Sequence, residues 1–235
     1  MLASLIFMRD SWKCKAGRRG LPIRDGTAAM DLYFSPLACS LATRIALHEA
    51  GIAAGFHPVT LGTKTLADGS DYLAVNPKGQ VPALRLDDGT VLTEGPAVLQ
   101  YVADLAPDAG LAPPAGTLER YRLQGWLNFI ASEVHKQVFY MLFDPTSPEA
   151  ARAHARTNVL PRKYAHLSGH LEGRDFLLDR FTVADAYLWT TLNWAAPGGV
   201  DLAAWPVLAG YHARLAARPA VARAFGEELA LRQAS

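Results

Sequence analysis

The chain of 235 residues is 50% hydrophobic and 19% charged, a composition that excludes an intrinsically disordered protein and suits one large or two small globular domains. Its formal net charge of +1 gives no reason to expect a nucleic-acid partner, and no apolar run approaches the roughly 20 residues that cross a bilayer, so no membrane partner is expected either. With two cysteines and no HExxH motif, we expect a cytoplasmic protein without a disulfide scaffold or a metal centre.

Residues 1–29 differ from the remainder in charge, since they hold six basic residues against two acidic ones. Their short apolar run precedes the basic residues, which is the reverse of the order in a signal peptide. We therefore predict a disordered extension. Met30 directly precedes the first apolar strand, and a natural translation start there is a further hypothesis, which intact-mass analysis of the native protein would test.

Residues 30–106 show the pattern of a domain that mixes strands and helices. Short apolar runs predict strands at 31–34, 56–61, 83–86 and 91–92, the last two joined as a hairpin. Helical spacing predicts one helix from Ser40 to a terminating glycine at Gly51 and another from Pro96 onward. A short irregular helix is expected within 62–72. The order β-α-β-α-β-β-α is that of a thioredoxin-like domain.

After a linker at 107–116 that is rich in proline, glycine and alanine, the remaining patterns are helical. They predict helices at 118–143, 148–171, 183–195 and 205–217 and from 219 onward. Thr182 to Asp185 form a capping-box pattern at the start of the third of these helices. The sequence therefore predicts an all-helical second domain at 117–235.

The loop at 76–82 carries Pro77, Gly79 and Pro82, which exclude a helix and lead into the predicted strand at 83–86. Since a proline beside a strand leaves neighbouring backbone groups unpaired, an extended peptide could pair there. An ordinary turn explains the same residues equally well. The motifs elsewhere in the chain decide between the two interpretations.

Three motifs occur in order in the first domain: Pro-Leu-Ala-Cys-Ser at 36–40, Asn-Pro-Lys-Gly-Gln-Val-Pro-Ala-Leu at 76–84 and Leu-Thr-Glu-Gly-Pro-Ala at 92–97. In the second domain they are followed by Trp-Leu-Asn at 126–128, His-Lys at 135–136 and Phe-Thr-Val-Ala-Asp-Ala-Tyr at 181–187. Together they resemble the glutathione S-transferases, most closely the bacterial beta class, over essentially everything from Met30 onward. The resemblance implies a homodimer that uses glutathione as co-substrate.

Cys39 is the candidate catalytic residue with the strongest physical argument. At a helix N-terminus, unpaired amides and the helix dipole favour thiolate over thiol, whereas a buried, inert cysteine is the alternative. The resemblance implies a catalytic cysteine beside the glutathione sulfur, with the Ser40 hydroxyl as a backup that bonds the thiolate. Leu37 stands where the family usually has glycine, and we expect it to narrow or reshape the entrance to the sulfur site.

The resemblance also implies a set of glutathione-binding residues. Glu94 and Gly95 open a helix, where a carboxylate and a free amide suit the ammonium and carboxylate of a γ-glutamyl group. Lys64 would pair with the glycyl carboxylate, and Val81 would pair its backbone with the cysteinyl peptide. Pro82 is expected to follow a cis peptide bond. An ordinary helix-start acid and a solvated lysine are the alternatives for Glu94 and Lys64.

His135 follows Asn128 by about two helical turns, so both side chains are predicted on one helix face. The resemblance places His135 near the glutathione sulfur as a catalytic residue, and it implies that Asn128 reaches glutathione from the second subunit. A histidine within reach of the thiol would orient it or move its proton. A solvated histidine beside Lys136 is the alternative.

We therefore predict a glutathione transferase that activates the glutathione thiol for attack on small hydrophobic electrophiles, which is a detoxification function. Phe139, Tyr140 and Trp194 are candidate walls of an electrophile cleft between the domains. Two alternatives remain open. One is a glutathione-dependent thiol-disulfide reductase with Cys39 as nucleophile, and the other is a glutathione-binding or regulatory protein of the same fold without turnover.

Overall fold

The computed structural model describes residues 30–234, so the predicted extension at 1–29 lies outside the described residues. Within the described part, a five-stranded sheet with two covering helices is followed by helices alone. This arrangement confirms the predicted thioredoxin-like domain and all-helical second domain, while the limits at 107 and 117 stay predictions. None of the helices between residues 30 and 234 is both long and apolar enough to cross a membrane.

The first domain is built on a mixed sheet. Its strands are β1 (Asp31–Phe34), β2 (Gly55–Thr60), β3 (Thr65–Leu66), β4 (Ala83–Arg85) and β5 (Val91–Thr93). They lie in the order β3-β2-β1-β4-β5. Strand β1 runs parallel to β2 and antiparallel to β4, and both edge strands pair antiparallel with their neighbours. The central position of β1 places the turn that follows it in the middle of the domain.

Two helices, α1 (Leu41–Glu49) and α2 (Gly95–Leu105), cover one face of the sheet. They do so because alternate strand residues point to the same side, and Leu32 of β1 lies opposite Leu84 of β4 on that side. Both leucines join Ile45 of α1 in the main hydrophobic core. Helix α1 is thereby fixed over the sheet with its first residue directly after the turn.

Helix α1 is followed, as predicted, by a terminating glycine, Gly51, which has a left-handed φ of 65°. The next segment differs from the prediction, because the chain forms β3 and one 3-10 turn at Tyr72–Ala74 where an irregular helix was expected within 62–72. The turn at 61–64, which contains left-handed Lys64 with φ of 58°, reverses the chain so that β3 pairs with β2. Tyr72 is fully buried against Tyr33 on the second face of the sheet.

The second domain consists of α3 (Leu118–Phe129), α4 (Met141–Phe143), α5 (Glu149–His154), α6 (Leu160–Leu171), α7 (Val183–Leu192), α8 (Pro206–Ala216) and α9 (Pro219–Gln233). Two π-helical stretches, Ile130–Tyr140 and Ala155–Val159, join α3 to α4 and α5 to α6. The predicted helices at 118–143 and 148–171 are thus continuous, but part of each is wound with more residues per turn than an α-helix.

Helix α7 is the centre of the second domain, since every one of its residues is buried. The predicted capping box between Thr182 and Asp185 is present at its start, and the Thr182 amide donates to Asp185 Oδ2 over 2.8 Å. The other carboxylate oxygen accepts from the Leu177 amide at 2.9 Å and from the Tyr211 hydroxyl at 2.8 Å. Asp185 is therefore structural, as predicted.

Helix α1 joins the two domains by packing against α7 and α9. Arg44 of α1 is almost fully buried, with its guanidinium 4.2 Å from the ring of Phe34 and 4.0 Å from the ring of Phe56. The same guanidinium lies 3.1 Å from Glu227 and 3.2 Å from Glu228, both on α9. The last helix of the chain is thus held beside the turn that precedes α1.

Candidate active site

The turn between β1 and α1 carries Cys39. Its Sγ donates a hydrogen bond to the carbonyl of Val81 at 3.1 Å, which brings the turn against the loop before β4. Ser40 is fully buried and uses its hydroxyl inside the turn, where Oγ accepts from the Ser35 amide at 3.2 Å and donates to the Ser35 carbonyl at 3.3 Å. The hydroxyl therefore shapes the turn and does not bond the Cys39 sulfur as expected.

The protonation of Cys39 also differs from the expectation. Desolvation raises the pKa of its thiol to about 11, although the charge of Lys136 and the backbone amides of Cys39 and Ser40 lower it. The amide effect is the one expected at a helix N-terminus, but the loss of hydration outweighs it. The hydrogen bond to Val81 also uses the thiol proton. The prediction of a thiolate at Cys39 is wrong, and the residue is a neutral thiol near pH 7.

Leu37 has an unusual backbone conformation, with φ of 62° in the left-handed region that a leucine rarely adopts. Two side chains of the second domain hold it there. Its amide donates to Glu228 Oε2 at 2.7 Å, and its carbonyl accepts from the indole N–H of Trp194 at 2.9 Å. Glycine adopts this conformation without strain, which explains why the glycine expected from the resemblance suits this position.

The carboxylate that holds the turn is itself perturbed. Glu228 is fully buried on α9, and desolvation raises its pKa to about 7, although the Leu37 amide and the charge of Arg44 both lower it. Glu228 contacts both the Leu37 amide and Arg44, so a change in its charge affects the Cys39 turn and the domain interface together. Near neutral pH, the group exists in both charge states.

The loop at 76–82 is rigid because its backbone is bonded from several directions. The carbonyl of Gln80 accepts from the Tyr72 hydroxyl and from Asn76 Nδ2, both at 2.7 Å. Lys64 Nζ donates to the carbonyl of Gly79 at 2.9 Å, and its stem packs so close that a Cβ at this left-handed glycine would lie 3.2 Å from it. Lys64 thus lies beside the loop, where its ammonium is bonded to the backbone.

The end of this loop lies beside the start of α2. The Val81–Pro82 peptide bond is cis, as predicted, and Val81 stands outside the paired residues of β4. A Cβ at Gly95, the first residue of α2, would lie 4.0 Å from Pro82, so the loop meets the N-terminus of the helix. Glu94 is largely exposed with its carboxylate 2.5 Å from Lys78 Nζ. The structure therefore places Val81, Pro82, Glu94 and Gly95 in neighbouring segments, with Val81 bonded to Cys39.

His135 lies in the π-helical stretch and contacts α7 and the turn after it. Its Nδ1 is 2.8 Å from the Tyr187 hydroxyl, and its ring lies edge-on to Trp194 with centroids 4.9 Å apart. Burial, together with the charge of Lys136, lowers the pKa of His135 to about 4. The imidazole is therefore neutral near pH 7. Trp194 connects it to the Cys39 turn through the carbonyl of Leu37.

Asn128 is exposed near the end of α3, whereas His135 is half-buried. The expectation of one shared helix face assumed 3.6 residues per turn, but the helix is π-wound from Ile130 onward and holds more residues per turn. That spacing argument does not apply here. Within the described chain, Asn128 is not brought to Cys39 as His135 is, and its predicted contact with glutathione across a subunit interface stays a prediction.

Aromatic side chains surround Trp194. Phe139 and Phe143 stack with centroids 6.0 Å apart, and both meet Trp194 edge-on. Phe139 is fully buried, so it supports the surface behind Trp194 and does not line a cleft as expected. Tyr140 and Phe143 remain 46% and 44% exposed. An accessible aromatic surface therefore borders the site, as the sequence predicted for Tyr140.

Tyr187 and Glu228 were not identified as site residues from the sequence, and the bond of Trp194 to the Cys39 turn was not foreseen, because the partners are remote in sequence. The Tyr187 hydroxyl, the Trp194 indole N–H and the Glu228 carboxylate each bond a residue at least 52 positions away. One signal was available for Glu228, since it follows Val221 and Ala224 on the buried side of α9 at helical spacing. A carboxylate on that side needs a partner.

The comparisons with known proteins agree along both domains. Residues 38–105 match the family model for the N-terminal domain of glutathione S-transferases, and residues 149–225 match the model for the C-terminal domain. Glutathione S-transferase GstA of Escherichia coli O157:H7 is 44% identical over 200 residues, which cover 85% of this chain and 98% of that protein.

Solved structures show the same similarity. The bacterial beta class glutathione S-transferase of Sphingomonas chungbukensis superposes with a TM-score of 0.81 at 47% identity, over 84% of this chain and 98% of that one. A sphingomonad glutathione S-transferase complexed with glutathione gives a TM-score of 0.80 at 46% identity, over 84% of this chain and 98% of its own.

Proposed function

The chain belongs to the glutathione S-transferase family, and from this membership we propose that it is a glutathione transferase of the beta type. It would activate the thiol of glutathione for attack on small hydrophobic electrophiles, in a cytoplasmic detoxification role. The observation that carries the proposal is the contact of the Cys39 turn with Val81, in the loop that meets the N-terminus of α2 at Pro82.

Glutathione has groups that match this arrangement. Val81 lies outside the strand ladder, so its backbone suits an extended peptide such as the cysteinyl residue of glutathione. The amide of Gly95 at the helix start suits a carboxylate. Glu94 now pairs with Lys78, and the ammonium of the γ-glutamyl group would take over that carboxylate. Lys64, beside the same loop, would reach the glycyl carboxylate.

The protonation of Cys39 favours conjugation over disulfide reduction. A thiol with a pKa of about 11 is a poor nucleophile near pH 7, because only the thiolate attacks a disulfide. The sulfur of bound glutathione would be the nucleophile instead. Cys39 would act as a hydrogen-bonding neighbour, Ser40 would hold the turn, and neutral His135 would orient the glutathione thiol or move its proton.

The electrophile would lie against the aromatic surface formed by Tyr140, Phe143 and Trp194. This surface is accessible at Tyr140 and Phe143, and it leads through Trp194 to His135 and the Cys39 turn. Aromatic rings favour flat, apolar or electron-poor compounds. Lys136 lies over the ring of Tyr140 at 4.8 Å and adds one positive charge to this surface.

A homodimer is supported by the outer face of α3. Exposed residues recur there at a spacing of three and four positions, which is the pattern of a helix that packs against another. They are Leu118, Tyr121, Gly125 and Asn128. Leu118 and Tyr121 are each 61% exposed, and a Cβ at Gly125 would meet no other atom within 4 Å. A second copy would cover this face, and Asn128 of each copy would then reach toward the glutathione bound by the other copy.

The proposal is tested by titrating glutathione into wild type and Glu94→Ala in a calorimeter and then assaying conjugation of a chlorodinitroarene on the same samples. We expect binding between micromolar and millimolar in wild type, at least about tenfold weaker binding in Glu94→Ala, and turnover in wild type. Glu149→Ala, at an exposed carboxylate of α5, is the matched control and should bind as wild type does. Wild type that does not bind glutathione would overturn the proposal.

A further inference from the structure

Tyr187 is a buried residue of α7 whose side chain contacts His135 of the candidate site. Its side chain is 4% exposed, and among the hydrogen bonds of residues 30–234 its hydroxyl takes part in one, to His135 Nδ1 at 2.8 Å. Burial is the main cause that raises the pKa of the phenol, and the charges of Cys39 and Glu94 also raise it. A buried phenol in this place determines which atoms of His135 are available to a ligand.

The position of the shared proton follows from the charge states. Burial raises the pKa of Tyr187 well above that of free tyrosine, so the hydroxyl keeps its proton. His135 is neutral near pH 7, and a neutral imidazole has one N–H and one nitrogen that accepts. Because the Tyr187 proton has no other acceptor in the described part of the chain, it is satisfied only by donation to Nδ1. The N–H of His135 is therefore on Nε2.

We propose that Tyr187 is a positioning residue that holds His135 in the Nε2–H tautomer, so that the imidazole offers a hydrogen-bond donor to the sulfur of the bound thiol. The tautomer follows from the Tyr187–His135 hydrogen bond together with the charge states of the two groups, and the identity of the thiol as glutathione rests on the proposed function. Trp194 fixes the imidazole from the other side, since its ring packs on His135 while its N–H holds the turn of Cys39.

A donor at this point changes the acidity of the bound thiol. An N–H directed at sulfur stabilises the thiolate more than the thiol, so the thiol loses its proton at a lower pH. The opposite tautomer would present a lone pair to the sulfur and would favour the thiol. The hydroxyl of Tyr187 therefore acts through His135 and does not touch the substrate itself.

The tautomer can be measured directly by nitrogen NMR of histidine side chains labelled with ¹⁵N, recorded without glutathione on wild type, Tyr187→Phe and Tyr164→Phe. Tyr164 is the matched control, because it is also fully buried but its hydroxyl has no hydrogen-bond partner within the described chain. We expect His135 of wild type and of Tyr164→Phe to carry its proton on Nε2, and Tyr187→Phe to show a mixture. A proton on Nδ1 in wild type would overturn the inference, even if Tyr187→Phe failed to fold.

The effect on acidity is measured by the pH profile of kcat/KM for conjugation. We expect Tyr187→Phe to raise the apparent pKa of the bound glutathione thiol by about one unit and to lower kcat/KM about tenfold near pH 6.5, with little change in KM for glutathione. Tyr164→Phe should follow the wild-type profile. An unchanged thiol pKa in folded Tyr187→Phe would contradict the positioning role. A protein with the expected tautomer that binds no glutathione would instead support the tautomer and overturn the proposed function.

Discussion

The backbone amide of Leu37 donates to the carboxylate of Glu228 over 2.7 Å and across 191 positions of the chain. The donor belongs to the turn that carries Cys39, and the acceptor belongs to the last helix. This one bond ties the candidate site of the first domain to the charge state of a residue in the second. Stability and activity should therefore respond together to changes at either end.

The first prediction concerns pH and Glu228. A buried carboxyl whose pKa is raised from 4.5 to about 7 binds its proton more tightly in the folded state than in the unfolded one. Its contribution to stability is therefore full below pH 4.5 and declines as pH rises toward 7. We expect the unfolding free energy of wild type, relative to Glu228→Gln, to fall by roughly 3 kcal/mol over this range.

Urea unfolding of both proteins at several pH values between 4.5 and 8 provides the measurement. Glutamine keeps an acceptor for the Leu37 amide but has no proton to exchange, so the difference between the two curves isolates this carboxyl. A difference that is constant with pH, or that grows in favour of wild type as pH rises, would show that the Glu228 pKa is not raised.

The second prediction concerns the left-handed backbone of Leu37. Replacement by glycine or by alanine removes the side chain, but only glycine adopts a φ of 62° without strain. We expect Leu37→Gly to be more stable than Leu37→Ala by about 1 kcal/mol in urea unfolding. In an ordinary helical position the order is reversed, because glycine loses more backbone entropy than alanine. Equal stability of the two variants would indicate that the turn relaxes to another conformation.

The third prediction compares two tryptophans whose indole N–H groups each donate to a backbone carbonyl. The acceptor of Trp194 is the carbonyl of Leu37 at 2.9 Å, and that of Trp189 is the carbonyl of His212 at 3.0 Å. Each change to phenylalanine removes one buried N–H donor and should cost about 1 kcal/mol of stability. Only Trp194→Phe should also lower kcat for conjugation, because it frees the Cys39 turn. Equal activity of the two variants would exclude a role of Trp194 in holding that turn.

The fourth prediction concerns the reactivity of Cys39. At pH 8.5 an ordinary cysteine is about half ionised, whereas a thiol with a pKa of about 11 is roughly a hundredfold less so. Alkylation by iodoacetamide, followed by mass spectrometry of the peptide that contains Cys39, should accordingly be about a hundredfold slower than that of N-acetylcysteine. The rate should rise about tenfold per pH unit up to pH 10. If Cys39 were alkylated faster than N-acetylcysteine at pH 7, the expectation of a thiolate at Cys39 would be correct after all.

The fold was largely predictable because its signals are local. The capping box of Thr182 and Asp185, the left-handed Gly51 and the start of α2 at Gly95 each depend on neighbours within about one turn of helix. The motifs that carry candidate site residues such as Cys39 are local in the same way. The polar segment at 62–72 was misread, because pairing with β2 decides its conformation.

Other properties of the site depend on contacts that no local pattern records. The pKa of Cys39 is set by desolvation between two segments 42 positions apart, and this reversed the effect expected from the helix N-terminus. The bonds of Leu37 to Trp194 and Glu228 join distant parts of the chain. The helix is π-wound from Ile130 onward, so the prediction that Asn128 and His135 share one helix face, which assumed 3.6 residues per turn, does not hold.

The two anchors of Leu37 also bear on how such a protein diverges. If the thioredoxin-like domain were joined to a different helical domain, it would keep its sheet. The turn that carries Cys39 would, however, lose its hydrogen bonds to the indole of Trp194 and the carboxylate of Glu228. Recombination between relatives should therefore conserve chemistry only where the exchanged helices bring an equivalent pair. In this chain Cys39 belongs to one domain, and the two side chains that position its turn belong to the other.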